Sequence, residues 1–125
     1  MNFDGDGLSL ILKYPPLIDV AKERLFQDQK WGTGRDFPDG VGDEEYCRLE
    51  QKYKLFNETN FRWHQINWAG IFLEEVYEAM AVQTDLHPDQ LEKELIQVCA
   101  VAVNWIEAIR RRKVCHISTS QEEKT

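Results

Sequence analysis

The stretch of residues 68–104 constrains the fold most, because it has the periodicity of two long helices that carry acids where core-facing helices usually carry leucine. The first helix places Glu74, Glu75 and Glu78 within about 100° of one another on the helical wheel. The second is apolar on most of its circumference, which predicts a central, buried element. Glu94, Gln97, Val101 and Asn104 follow an i, i+3, i+7, i+10 series and share one stripe, which is polar except at Val101. We therefore predict an all-α fold in which this stripe faces the acidic side of the preceding helix.

Carboxylates that face one another inside a fold need compensation, because each buried anion costs several kcal/mol and like charges add repulsion. Protonation, pairing with Lys or Arg, and binding of divalent cations would each provide it. A solvated acidic face is a further alternative, which suits the three glutamates of the first helix better than it suits Glu94 and Gln97. If cations are bound, hard oxygen ligands favour Mg²⁺ or Mn²⁺ over zinc.

The acidic motif has a counterpart in a known family. The pattern Glu74-Glu75-x-x-Glu78, a short turn and Glu94-x-x-Gln97 resembles the EExxE…ExxD signature of the MazG-like all-α nucleoside triphosphate pyrophosphohydrolases. Together with Lys30-Trp31-Gly32, it is similar to a short branch from phages and bacteria, and the similarity covers residues 20–112. Gln97 stands where most of the family has aspartate, so one metal contact would be weakened or lost.

The resemblance implies a four-helix MazG-like bundle that hydrolyses a (deoxy)nucleoside triphosphate to the monophosphate and pyrophosphate. It implies Mg²⁺ or Mn²⁺ as cofactor, a homodimer or homotetramer, and a purine substrate with dGTP favoured. Within it, Glu74 and Glu75 are the candidate catalytic carboxylates. The candidate metal ligands are Glu75, Glu78, Glu94 and Gln97.

Further residues are candidates for contact with the substrate. Trp31 can stack on a base or cap the core beside its loop, and Lys30 or Arg35 can meet a phosphate oxygen. Three others complete the substrate-binding set: Lys54, Arg62 and Asn104. The competing hypothesis is a non-enzymatic helical interaction or regulatory module, in which the acidic stripe provides solubility.

Composition bounds the partners and the compartment. The chain has 125 residues and a formal net charge of −7, which argues against nucleic acid or an acidic membrane surface as the main partner. No apolar run is long enough to span a bilayer, and no signal peptide is expected. Cys47, Cys99 and Cys115 have neither disulfide-framework nor zinc spacing, and Cys99 is expected in the core. We expect a cytoplasmic protein, in the host cytoplasm if the gene is from a phage.

The chain divides into three predicted parts. Residues 1–16 form an N-terminal arm, with a short strand as an option for 8–12; residues 17–114 form the catalytic domain; residues 115–125 form a flexible tail. Helices are predicted over 17–30, 43–58 and 61–83, and a last helix ends at 110–113. His64 could bind metal, although a lone histidine is more often a hydrogen-bonded structural group.

Overall fold

The structure is a computed structural model that describes residues 6–123, and every regular element within that range is an α-helix. The helices are α1 (Gly7–Lys13), α2 (Pro16–Trp31), α3 (Glu44–Arg62), α4 (Trp68–Met80) and α5 (Gln90–Glu123). The predicted all-α class is therefore confirmed. The first five residues of the predicted arm and the last two of the predicted tail lie outside the described range.

The segment for which a short strand was an option is helical. Asp6 accepts a hydrogen bond from the backbone N–H of Ser9 at 2.8 Å and so caps α1. The apolar run that follows is too short for its periodicity to separate strand from helix, and the N-terminal cap decides in favour of helix. Pro16 then occupies the first turn of α2, where its missing N–H has no consequence.

The chain forms two compact units. In the described range, the first comprises residues 6–37 and 106–123, and an ion pair of 2.5 Å between Arg110 and Asp19 joins α5 to α2 within it. The second is Pro38–Trp105 and contains α3, α4 and the first half of α5. None of the helices within residues 6–123 has the length and apolar character that crossing a membrane requires.

Aromatic rings join the helices of the second unit. Tyr77 of α4 stacks on Tyr53 of α3, with ring centroids 5.5 Å apart and planes 14° apart. Trp105 of α5 stacks on Trp68 of α4 at 6.5 Å and meets Phe72 at 6.0 Å. Because one face of α4 contacts α3 and another contacts α5, the acidic residues of α4 have neighbours from both helices.

The end of α3 corrects two predicted boundaries. We predicted a stop near residue 58 and a new helix from 61, but α3 continues to Arg62 and α4 begins at Trp68. His64 has a left-handed φ of 55°, and the N–H of Gln65 bonds to the carbonyl of Asn60 at 2.7 Å. This is the Schellman pattern that ends helices. Asn67, whose side chain accepts from the N–H of Gly70 at 2.8 Å, then caps α4.

The last helix is less buried and longer than predicted. Leu95 and Ile96 are 43% and 61% exposed, and Cys99, which was expected in the core, is also exposed. The prediction of a helix buried around most of its circumference is thus wrong for the single chain. The helix also continues to Glu123, beyond the predicted end at 110–113.

Candidate metal centre

Three glutamates of α4 converge on one small region. Each of Glu74, Glu75 and Glu78 offers one carboxylate oxygen, and these three atoms all lie within 4.8 Å of one another. All three residues are half-buried. Their i, i+1, i+4 spacing places them on one side of the helix, so the local sequence alone produces this convergence once α4 forms.

Glu94 adds a fourth carboxylate from α5. It is half-buried, and its charge raises the pKa of both Glu75 and Glu78, which places it in their neighbourhood. Gln90 donates to its Oε1 atom at 2.6 Å. Its Oε2 atom, like Oε2 of Glu75, is buried and accepts no hydrogen bond from any described residue. We call these four residues, Glu74, Glu75, Glu78 and Glu94, the acidic cluster.

The acidic cluster disfavours ionisation of its own members. Burial raises the pKa of Glu78 to about 7, with further contributions from the charges of Glu75 and Glu94, while Lys54 opposes the rise. Burial, followed by the charges of Glu94 and Glu74, also raises the pKa of Glu75. Of the predicted ways to compensate facing carboxylates, partial protonation is therefore available to the protein without any ligand.

One face of α3 completes the surroundings of the acidic cluster. Lys54 donates to Oε1 of Glu50 at 2.8 Å, and the charges of Glu78 and Glu74 contribute to the raised pKa of Lys54. Asn57 is buried, and its Nδ2 donates to Oε1 of Glu74 at 2.9 Å. Glu50, Lys54 and Asn57 have the i, i+4, i+7 spacing of one helical face.

The sequence analysis missed two of these α3 residues. Neither Glu50 nor Asn57 is among the residues that the sequence predicts for the site. The helical spacing of α3 could have identified Glu50 and Asn57, because they share a face with the aromatic residues of α3 that pack on α4. Polar side chains on a core-facing stripe need partners, so their presence there indicates a polar neighbour.

The residues of the acidic cluster fit a divalent cation. Carboxylate oxygens are the ligands that Mg²⁺ and Mn²⁺ prefer. The two buried oxygens without hydrogen-bond donors, Oε2 of Glu75 and Oε2 of Glu94, are the kind of acceptor that a cation satisfies. Lys54, the nearby cation, is hydrogen-bonded to Glu50 and donates to neither of these two oxygens.

The other predicted site residues differ in their placement. Gln97 and Asn104 are exposed on α5, and Arg62 is exposed in the last turn of α3. Lys30, Trp31 and Arg35 belong to the first unit and are exposed there, with Nζ of Lys30 4.8 Å from the centroid of a Trp31 ring. The structure thus brings together Glu74, Glu75, Glu78, Glu94 and Lys54 from the predicted set.

Comparison of the chain with models of protein families, with curated proteins and with solved structures found no match in any of the three. The resemblance to the MazG-like enzymes therefore remains a prediction based on motifs.

Proposed function

We propose that this protein is a metal-dependent nucleoside triphosphate pyrophosphohydrolase, which releases pyrophosphate and a nucleoside monophosphate. The observation that supports the proposal is the acidic cluster, in which two helices bring four carboxylates together and leave two buried oxygens without donors. The motif resemblance supplies the reaction class, the family's four-helix bundle and the purine preference. Among purines we favour dGTP on the resemblance alone.

The roles of the residues follow from their positions. Glu75, Glu78 and Glu94 would hold Mg²⁺ or Mn²⁺, which when bound would neutralise the triphosphate and make an attacking water more acidic. Glu74 is a further candidate ligand, whose oxygen lies within 4.8 Å of those of Glu75 and Glu78, or the base that takes the proton of this water. Attack at the α-phosphorus forms a new P–O bond and breaks the bond to the bridging oxygen, so pyrophosphate leaves. Lys54, which interacts electrostatically with Glu78 and Glu74, is the candidate to meet phosphate charge.

Substituting the ligands tests the proposal. We expect Glu75→Gln and Glu94→Gln to lower the rate of pyrophosphate release from the best triphosphate by more than about 100-fold, beyond the loss typical of residues that only support ligands. The assay compares common and modified triphosphates with Mn²⁺, with Mg²⁺ and with EDTA. Glu58→Gln, an exposed change on α3, is the matched control and should leave the rate unchanged. A Glu75 or Glu94 variant that keeps most of its activity would contradict the metal role.

The non-enzymatic interaction module is retained as the second candidate, because Leu95 and Ile96 leave apolar surface exposed on α5. The two candidates differ in a simple measurement. An enzyme that binds Mn²⁺ and nucleotide in its native state gains thermal stability from them, whereas a passive module does not.

We also propose that the exposed face of α5 is covered by a second copy of the chain, in a homodimer or homotetramer. A largely apolar groove there is lined by Pro88, Leu91, Glu92, Leu95, Ile96 and Cys99. Burying such a face in a symmetric contact removes apolar surface from water in both copies.

A further inference from the structure

Asn57 makes two hydrogen bonds to the same turn of α4. Its Nδ2 donates to the backbone carbonyl of Gly70 at 3.0 Å and to Oε1 of Glu74 at 2.9 Å. Gly70 and Glu74 are one helical turn apart, so a single amide group links the backbone of that turn to the carboxylate that it carries. Both N–H groups of the amide are used in this way.

Gly70 makes this approach possible. A Cβ atom at position 70 would lie 2.4 Å from Oδ1 of Asn57 and 3.0 Å from the ring of Phe56. Any side chain at position 70 would therefore displace the amide. The chain thus has glycine, a poor helix former, in the first turn of α4, at the position that keeps Asn57 in place.

Packing alone does not account for Asn57. The residue is 8% exposed, and its Oδ1 atom is buried with no hydrogen-bond donor among the described residues. Leaving a buried acceptor without a partner is unfavourable, and an apolar side chain of similar size would fill the same space without that penalty. The hydrogen bonds that Nδ2 donates must therefore offset this penalty, and one of them is to Glu74.

We infer that Asn57 is a positioning residue that fixes the carboxylate of Glu74 and leaves its second oxygen free for the acidic cluster. A glutamate side chain has three rotatable bonds, and ordering them on ligand binding is unfavourable. The hydrogen bond from Asn57 imposes that order before any cation or substrate arrives. The amide of Asn57 is a neutral donor, so it orients the carboxylate of Glu74 without placing a positive charge beside it. This inference rests on the proposed function, in which the acidic cluster binds a divalent cation.

The test measures Mn²⁺ affinity directly, by calorimetric titration of the whole chain at a temperature where each variant is folded. We expect Asn57→Leu to be folded, with a cooperative thermal unfolding transition. We expect it to bind Mn²⁺ about 10- to 100-fold more weakly than the parent, the range typical of residues that support metal ligands. Gly70→Ala should weaken binding in the same direction, because it displaces the amide without removing it. If Asn57→Leu does not fold, Asn57→Ser replaces it under the same criterion.

The matched control is Asn60→Leu. Asn60 lies one turn further along α3, and its side chain has no hydrogen bond to any described residue, so Mn²⁺ affinity should stay within about twofold of the parent. If Asn57→Leu binds Mn²⁺ as tightly as the parent, Asn57 is only structural and the inference fails while the proposed function stands. If the parent itself binds no Mn²⁺, both fail.

Discussion

Glu78 shows how a single carboxyl reports the environment of the acidic cluster. Its side chain faces other acids and is half-buried, and its pKa rises to about 7 from an ordinary value of 4.5. In the unfolded chain the same group ionises near 4.5. Between these two values the folded state holds a proton that the unfolded state has released, so the free energy of unfolding falls as pH rises.

We therefore predict that the metal-free protein loses stability as pH rises from about 4.5 to about 7, by on the order of 1 kcal/mol after allowance for solvent screening. The loss corresponds to a decrease of roughly 3 °C in Tm for a chain of this size. Glu78→Gln should flatten this slope, because glutamine does not titrate. Thermal unfolding in EDTA across this range measures both proteins.

The exposed residue Glu58 on α3 provides the comparison for this titration. Glu58→Gln should keep the parental slope, whereas a parental slope in Glu78→Gln would show that Glu78 ionises normally. Excess Mn²⁺ should reduce the slope in the parent, because a bound cation favours the ionised form.

At the scale of single elements, the C-terminus of α3 gives His64 a structural role in ending the helix. We had considered His64 as a possible metal ligand, but its left-handed backbone occupies the C-terminal position that is usually glycine. Two backbone bonds close the motif, from Gln65 to Asn60 and from His64 to Phe61. The histidine side chain contributes nothing to these bonds.

We predict that His64→Gly stabilises the protein by about 0.5–1 kcal/mol, because glycine adopts a positive φ without steric conflict. Tm should rise by a few degrees, and Mn²⁺ affinity should be unchanged. Gln65→Gly, at a neighbouring position outside the left-handed region, should be neutral or destabilising. If His64→Gly weakens Mn²⁺ binding, the histidine has a role at the site after all.

At the scale of the whole molecule, the second unit leaves an apolar surface on α5 that a single chain does not cover. Ile96 is 61% exposed, and Leu95 and Cys99 are exposed beside it. The prediction that this helix is central and buried is wrong for the single chain, in which this surface is exposed. A second copy would restore the expected burial.

We predict that the parent protein is a dimer or larger by light scattering after size-exclusion chromatography, and that Ile96→Lys shifts it towards monomer. Burying a lysine charge in an apolar contact is unfavourable, which is the reason for the shift. Leu86→Lys, a matched change at a position that is 73% exposed outside α5, should leave the mass unchanged. A monomeric parent at micromolar concentration would contradict the proposed contact.

The sequence by itself determined the helical class and the acidic side of α4. Glu74, Glu75 and Glu78 converge because an α-helix returns to the same side every three or four residues, and this spacing is a property of the local chain. The helical periodicity of residues 68–104 begins at the observed start of α4, Trp68, but the helix predicted over 61–83 begins seven residues too early. Helix termini depend on single capping residues, which periodicity does not detect.

Only the tertiary structure decided which other residues meet those acids. Glu94 reaches their neighbourhood from α5, which contacts α4 through Trp105 against Trp68 and Phe72. Asn57 reaches Glu74 because Gly70 lets α3 approach closely. Such distances depend on how side chains of separate helices interdigitate, and no spacing along one helix contains that information. The local pattern thus specified the carboxylates, and the packing of three helices specified their partners.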